Sequence, residues 1–472
     1  MKSNTLLTIL LVSQSAVAQM LTEGVMNDPV QFEYQPQLAV LEPKFETNLP
    51  KTTIHSVKNL EQSVTLERKI NQSILQQKWQ YLPELLHKYQ HQPNYDKALA
   101  HYAWGAFFYA KQQHKKAISY YQKFLTLKPE LAYPRFDYGV MLFENRQYRQ
   151  AQVELQKSYP QLEPVMQRLA QKYLIAISEQ QRWQPYLNLQ YTRTNNVNNA
   201  STSKVVQING LKFIKDTDAL PQKAEGIRYG VGIVRELNII SNHFIHSEFG
   251  YDGVYYWNNK QYNEQSVHFE LGYAYRTARQ SFSFVPFIEQ NWLGSARYNK
   301  QFGASLTHYF ALNPHWQLHT YFVHTQKHYR TPLISSRHNG FQHRLINSLR
   351  WQAVKNWQFF VSLELMQDKV KEKASSSYKL LGAIGASYQS KNWNGRLSVS
   401  YGNRYFNDIH YLYRYKRQDE ETQINWVLGH NQLAWKGFVP KLNFRYQKIK
   451  SSIPDFYSRS SKELFLTVDK SF

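Results

Sequence analysis

Ser266-Val267-His268-Phe269-Glu270-Leu271-Gly272-Tyr273-Ala274-Tyr275 is the stretch that decides the fold. Val267, Phe269, Leu271, Tyr273 and Tyr275 are large and apolar or aromatic, whereas the residues between them are small, polar or charged. Successive side chains of a strand point to opposite faces, so a period of two sets one face against lipid and the other against a wet interior. The alternation returns in Trp357, Phe359, Val361, Leu363 and Leu365, in Leu397, Val399, Tyr401 and Tyr405, and in Leu442, Phe444 and Tyr446. A soluble sandwich alternates too, but with less regularity. Trp292, Trp316, Trp351, Trp357 and Trp393 stand near strand ends, where interfacial girdles call for amphipathic rings.

Fourteen candidate strands start near 185, 226, 244, 263, 280, 298, 315, 341, 357, 378, 393, 420, 440 and 460. The 290 residues from 183 to 472 give each strand and its connection roughly 21 residues, room for a tilted span of about ten and a loop. Thr277-Ala278-Arg279 and Leu312-Asn313-Pro314 are short connections, while Asn195 to Lys223 and Phe406 to Asp419 are long. Short turns belong in the periplasm and long loops outside, and an even strand number returns both barrel ends to the periplasm. Arg in place of Leu363 or Val399 is expected to be costly, and in place of Ser362 or Ser398 mild. Leu464, Leu466, Val468 and Phe472 resemble the terminal strand that barrel-assembly machinery recognises, with Lys470 interrupting the apolar face.

Upstream of about residue 183 the period is 3.6, and the chain repeats. Trp104-Gly105, Ala117, Tyr121 and Pro129 recur 34 residues later as Tyr138-Gly139, Ala151 and Leu155, with Pro164 one residue late. That is the tetratricopeptide period. Gly105 and Gly139 let the first helix of each unit approach the second, Ala117 and Ala151 keep the facing position small, and Pro129 stops the second helix. Ile70 to Tyr89 reads as an irregular helical pair and Pro164 to Gln181 as a closing helix, which makes roughly three units. An ordinary helical bundle with coincident Gly and Ala remains the alternative.

The first residues set the compartment. Lys2, the apolar run Leu6 to Val12 and Ala16-Val17-Ala18 form a secretory signal with cleavage expected between Ala18 and Gln19. No Cys follows that site, so the chain is not expected to be a lipoprotein itself. Residues 19–62, with Pro29, Pro36, Pro43 and Pro50 among polar residues, read as an extended periplasmic arm. The expected organisation is a signal peptide over 1–18, the arm over 19–62, tetratricopeptide-like helices over 63–181 and a transmembrane β-barrel over 182–472. The expected class is α plus transmembrane β: N-terminal helical repeats, then a C-terminal outer-membrane barrel of about 14 antiparallel strands. The expected place is the Gram-negative outer membrane, with the N-terminal domain in the periplasm.

Composition agrees with that class. The chain has 472 residues, 15% aromatic, with 35 Tyr and no Cys, and its mean hydropathy is −0.60. Those values suit neither a helical membrane protein nor a disordered chain, and they exclude disulfides, thiolate metal sites and Cys nucleophiles. A net charge of +23 could serve nucleic acid, but an exported protein meets little of it. Anionic outer-membrane lipid or an acidic passenger is the expected partner. No G-x-S-x-G, H-E-x-x-H, phosphate loop or paired-acid motif is present, so no enzymatic activity and no cofactor or metal are expected. His315 and His319 share a strand face, as do His324 and His328, and a metal or haem contact there is conceivable.

A cleaved signal, a small tetratricopeptide domain and a fourteen-stranded C-terminal barrel together resemble the surface lipoprotein assembly modulator family, the type XI secretion translocators. The resemblance runs from about 63 to 472. It is carried by Gly105, Ala117, Gly139 and Ala151 and by Trp183-Gln184-Pro185-Tyr186 with Asn195-Asn196-Val197-Asn198-Asn199, where the chain enters the barrel. It implies delivery of particular lipoproteins, or of soluble haem- and metal-acquisition proteins, to the cell surface or medium, without catalysis. An exopolysaccharide-export porin with periplasmic repeats is the alternative, although such arrays are usually longer. An outer-membrane enzyme or adhesin is a third reading.

Overall fold

The computed structural model describes residues 66–208, 210–434 and 438–471. The expected signal segment with Ala18 and Gln19, the arm over 19–62 and Phe472 lie outside the described residues.

Seven helices come first: α1 (Leu66–Leu75), α2 (Leu82–Gln90), α3 (Lys97–Ala110), α4 (His114–Leu127), α5 (Ala132–Glu144), α6 (Tyr148–Ser158) and α7 (Pro164–Gln181). Asp96 caps α3 by accepting from the Ala98 amide at 2.7 Å, which satisfies one of the free donors of the first turn. Gln112 and Arg146 hold φ of 55° and 65° in the turns that fold α3 onto α4 and α5 onto α6. They are one repeat period apart, so the same left-handed residue closes both hairpins.

A Cβ on Gly105 would stand closer than 3.0 Å to the Tyr121 ring, and one on Gly139 would lie 2.8 Å from Leu155 Cγ. The two contacts are equivalent positions of the repeat. Ala117, Ala151 and Leu155 are fully buried and Tyr121 nearly so, which seals the seam between paired helices. Trp104 is 9% exposed, stacks on Phe108 at 5.6 Å and donates its indole N–H to Gln90 at 3.2 Å. Pro129 lies between α4 and α5, where its carbonyl accepts from Arg135 at 2.6 Å.

The chain then becomes extended. After β1 (Gln184–Thr194) a long connection carries a small hairpin, β2 (Val205–Ile208) and β3 (Leu211–Ile214). The remaining strands are β4 (Ala224–Ile240), β5 (His243–Tyr256), β6 (Glu264–Arg276), β7 (Gln280–Leu293), β8 (Ala296–Ala311), β9 (Trp316–Tyr329), β10 (Gly340–Val354), β11 (Trp357–Val370), β12 (Ser377–Gln389), β13 (Trp393–Ile409), β14 (Lys416–His430), β15 (Phe438–Ser451) and β16 (Arg459–Ser471). Two short helices, α8 (Pro332–His338) and α9 (Pro454–Tyr457), sit in connections. β1 and β4 to β16 form one closed antiparallel barrel of fourteen strands, β1 pairing with β4 on one side and with β16 from Tyr186–Ser471 to Thr194–Glu463 on the other. Closure leaves no strand edge, which is what a sheet in hydrocarbon requires.

The face assignment follows the alternation. Phe269, Leu271 and Tyr273 are exposed on the outer face, while Ser266, His268 and Ala274 are buried on the inner one. Among the described residues no helix is long and apolar enough to cross a membrane, so the strands form the span. Two details of the sequence reading are corrected. Phe406 to Asp419 is not a loop: β13 runs to Ile409 and β14 starts at Lys416, because this hairpin stays paired past the apolar band. The β7–β8 connection, at the end that carries the long loops, is only residues 294–295, a tight turn made possible by Gly294 at φ +61°.

Candidate functional site

Three regions concentrate polar and charged side chains: the helical array, the seat where it meets the barrel, and the barrel interior with the mouth opposite the array. In the array Tyr102 and Tyr109 of α3 and Asp137 and Glu144 of α5 are half-buried near Tyr173 of α7, which is itself buried in the core. Tyr109 donates to Glu144 at 2.9 Å. Burial pushes the Tyr102, Tyr109 and Tyr173 phenols above their ordinary range, and burial alone lifts the half-buried Asp137 carboxyl to about 7. The array thus holds a half-buried cluster of phenols and carboxyls.

The Asp137 shift has a thermodynamic consequence. The folded group titrates near 7 and the free group near 3.8, so through that window the folded chain keeps a proton that the unfolded chain releases. Stability falls as pH rises through the window and stays at the lower level above it. Asp137→Asn is expected to stabilise the helical array at pH 7.5 by about 1–2 kcal/mol, a figure reduced for partial exposure, and to flatten its pH dependence. Thermal melts of the full chain by far-UV circular dichroism at pH 5.5 and 7.5 measure both. A pH dependence unchanged in the variant would exclude Asp137 as its source.

The array is seated on the β4–β5 and β6–β7 turns. Asn242 accepts from Gln147 Nε2 at 2.9 Å and donates to the Asn145 and Arg276 carbonyls. Asn238 accepts from the Arg149 amide at 3.0 Å, and Asn145 Oδ1 accepts from the Ala278 amide at 3.3 Å. Packing accompanies these bonds: Tyr148 meets Phe244 edge-on at 5.9 Å, and Phe244, 1% exposed, belongs to the same apolar core as Phe136, Phe143 and Tyr173. At the chain junction Arg235 donates to the Gln181 carbonyl at 2.9 Å and lies over Trp183. Buried polar groups that are mutually satisfied fix one geometry, so the array is clamped to the barrel and does more than trail from it.

Inside the barrel acid and base are unevenly distributed. β4 to β7 turn Glu236, Glu248, Asp252, Glu264, Glu270 and Glu289 inward, whereas β9 to β16 supply Lys327, Arg344, Lys379, Arg404, Arg417, Arg445 and Arg459. Much of the cationic wall is paired, as in Arg344–Glu364 and Lys379–Glu364, both at 2.8 Å, and Arg404–Glu421 at 2.8 Å. The β4–β7 wall is the more acidic, with Arg276 paired to Glu236, whereas the cations of β9–β16 interleave with Glu364, Asp419, Glu421 and Glu463, so the interior is charged and hydrated throughout.

At the far end of β1 the Asn-rich segment folds into the barrel mouth opposite the array; the chain enters the barrel at Gln184, a strand's length away. Asn196, Val197, Asn198, Asn199 and Ala200 are buried, Val197 against Val254, Tyr256 and Tyr262. Asn196 and Ala200 exchange hydrogen bonds at 2.9 Å, and Asn198 Oδ1 accepts from the Gln222 amide at 3.0 Å. Asp455 of α9 then ties down the hairpin through the Gln207 amide at 3.1 Å. The loop is a cap with a built interior.

Several sequence candidates are dispersed. His315 lies in a turn, facing the Gln352 carbonyl; His319 is buried on the inner face; His324 packs on His343 and His328 stacks on Phe302, both on the outer face. The docking pairs, the cap and a cluster of His246, Glu248 and Glu270 carry no local sequence signal, because each depends on strand register.

A closed barrel with an apolar outer skin, a charged interior and a clamped helical-repeat array defines an outer-membrane β-barrel protein with an accessory tetratricopeptide domain. A family model described as surface lipoprotein assembly modifier matches residues 183–472, and one for the N-terminal TPR repeats of such proteins matches residues 53–155. The chain belongs to the surface lipoprotein assembly modifier family. It is 26% identical over 393 residues to the surface lipoprotein assembly modifier of Pasteurella multocida, covering 78% of this chain and 76% of that protein. It is 24% identical over 411 residues to surface lipoprotein assembly modifier 1 of Haemophilus influenzae, covering 85% and 83%. Against the hemophilin secretion modulator of Acinetobacter baumannii it is 22% identical over 490 residues, covering 98% and 96%. Barrel and family together point to the outer membrane.

Proposed function

We propose that the chain is an outer-membrane translocator that delivers particular exported proteins, either lipoproteins or soluble haem- or metal-acquisition proteins, to the cell surface or medium. The helical array stands in the periplasm and receives the passenger, and the barrel is its route outward. The observation that supports this reading is the buried seat between array and barrel, which holds the array against the barrel rim at the β4–β5 turn. Holding a passenger there raises its effective concentration at the pore without any chemical step, so no catalytic residue is required. Lipid on the outer face and the barrel-assembly machinery are the remaining expected partners.

The test is co-expression with a candidate lipoprotein or haem-binding passenger, scored by antibody labelling of intact cells. Surface labelling is expected with the full chain and is expected to fall to background when residues 63–181 are removed. A passenger that reaches the surface equally well without those residues would overturn the receiving role of the array.

A further inference from the structure

The barrel interior holds a cluster for which the translocator reading has no use. His246 and Glu248 lie two residues apart on β5 and so share its inner face, and Glu270 on β6 is the direct cross-strand partner of Glu248. Two carboxylates placed directly opposite one another repel unless a cation lies between them. The basic groups beside them are imidazoles, His246 Nε2 facing both carboxylates and His268 Nε2 facing Glu248, while Arg276 binds Glu236 through two hydrogen bonds. From these residues we infer a binding site for a divalent first-row transition-metal ion, with His246 Nε2, one oxygen of Glu248 and one oxygen of Glu270 as its protein ligands.

The geometry has the parts such a site needs. His246 Nε2 is 3.9 Å from Glu248 Oε2 and 3.8 Å from Glu270 Oε2, and one ligand atom from each residue lies within 4.8 Å of the others. An ion with bonds of about 2.1 Å holds tetrahedral ligand atoms about 3.4 Å apart, so the trio closes on it by small side-chain rotations. Glu248 is 4% exposed. Its Oε1 accepts from Tyr186 at 3.1 Å and faces His268 Nε2 at 3.4 Å, while its Oε2 faces His246 Nε2. The other ring nitrogen of His246 faces Glu236 Oε1 at 3.4 Å, the carboxylate–histidine arrangement that orients a metal-bound imidazole. Gly250 makes room for this outer layer, since a Cβ there would lie within 3.0 Å of both the His268 ring and the Tyr186 hydroxyl.

One imidazole with two carboxylates selects a borderline ion such as zinc over calcium, which prefers more oxygen ligands. Bound between β5 and β6, the ion cross-links the acidic wall. Through Glu236 and Arg276 it also adjoins the seat of the helical array, because Asn242 of that seat donates to the Arg276 carbonyl at 2.6 Å.

The test uses the full chain in detergent, without a histidine tag, stripped with chelator and titrated with Zn²⁺ by calorimetry. One ion per chain is expected. His246→Ala and Glu270→Gln are expected to raise Kd at least tenfold, and Glu236→Gln, acting on the outer layer, also weakens binding. His319→Ala, another inner-face histidine, leaves it unchanged. Glu270→Gln preserves side-chain shape, and heat-modifiable migration reports that its barrel is closed. Absence of saturable Zn²⁺ uptake by the unaltered chain, or a Kd unmoved in both His246→Ala and Glu270→Gln, would overturn the site.

Discussion

Leu363→Arg is expected to cost the barrel about 2–4 kcal/mol and to abolish the fast-migrating unheated band on electrophoresis, whereas Thr307→Arg leaves that band in place. Leu363 lies midway along β11, on the outer face and 46% exposed, opposite Gly382 of β12 and Asn347 of β10. A guanidinium there has no water to reach without deforming the bilayer, and Gly382 offers no side chain to shelter it. Thr307 of β8 is half-buried on the inner face, across from Ser283 of β7 and Tyr321 of β9, so an added cation there stays out of the lipid. The structure changes the comparison drawn from the sequence. Ser362 and Ser398 are each 8% exposed, and Ser362 shares a 2.8 Å hydrogen bond with Ser348, so Arg at these inner positions is crowded and not mild. Equal loss of the folded band in Leu363→Arg and Thr307→Arg would argue against a lipid-facing outer skin.

That correction marks the boundary of what sequence carries. A barrel strand writes its environment into the chain at every second residue, so Phe269, Leu271 and Tyr273 were legible as a lipid face from their spacing. Strand starts followed to within four residues, the largest displacement being β14, which begins at Lys416 and not near 420. The repeat was legible for a similar reason: one contact, Gly105 on Tyr121, recurs 34 residues on as Gly139 on Leu155. Crowding on the inner face has no such signature. A small polar residue looks the same in sequence whether it borders water or a packed wall, and only the register reveals which.

Register also hides function. Glu248 and Glu270 are 22 residues apart, and nothing local marks them as neighbours until β5 is paired with β6. Asn145, Gln147 and Asn242 read as ordinary turn residues, yet they join two domains through buried hydrogen bonds that span almost 100 positions of the chain. The Asn-rich stretch after β1 was legible as part of a long connection, but its inward packing depends on Gln222, Asp455 and Tyr262, none of which is near it in sequence. Polar residues specify such features through partners, and partners are set by the closed topology.

The seat also yields the most consequential expected outcome. A file of aromatic rings runs from the array into the barrel rim: Phe136 to Tyr173 at 6.1 Å, Tyr173 to Phe143 at 5.3 Å, Phe143 to Tyr148 at 5.6 Å and Tyr148 to Phe244 at 5.9 Å. Phe244 is the only member contributed by a strand, and it is 1% exposed. Phe244→Ala removes a fully buried ring from the junction, a change worth about 3–5 kcal/mol. Even 3 kcal/mol shifts a docking equilibrium about a hundredfold. The barrel is expected to keep its heat-modifiable migration, since its strands still pair, while protease cleaves faster near Arg182 and Trp183 and passenger at the surface falls. Gly105→Leu supplies the complementary case, because it forces α3 from α4 inside the array without touching the seat. If delivery depends on a folded array held beside the pore, both variants lose it, one by release and the other by unfolding. Undiminished delivery by a Phe244→Ala chain whose junction has become protease-sensitive would reduce the array to a spacer or an assembly handle.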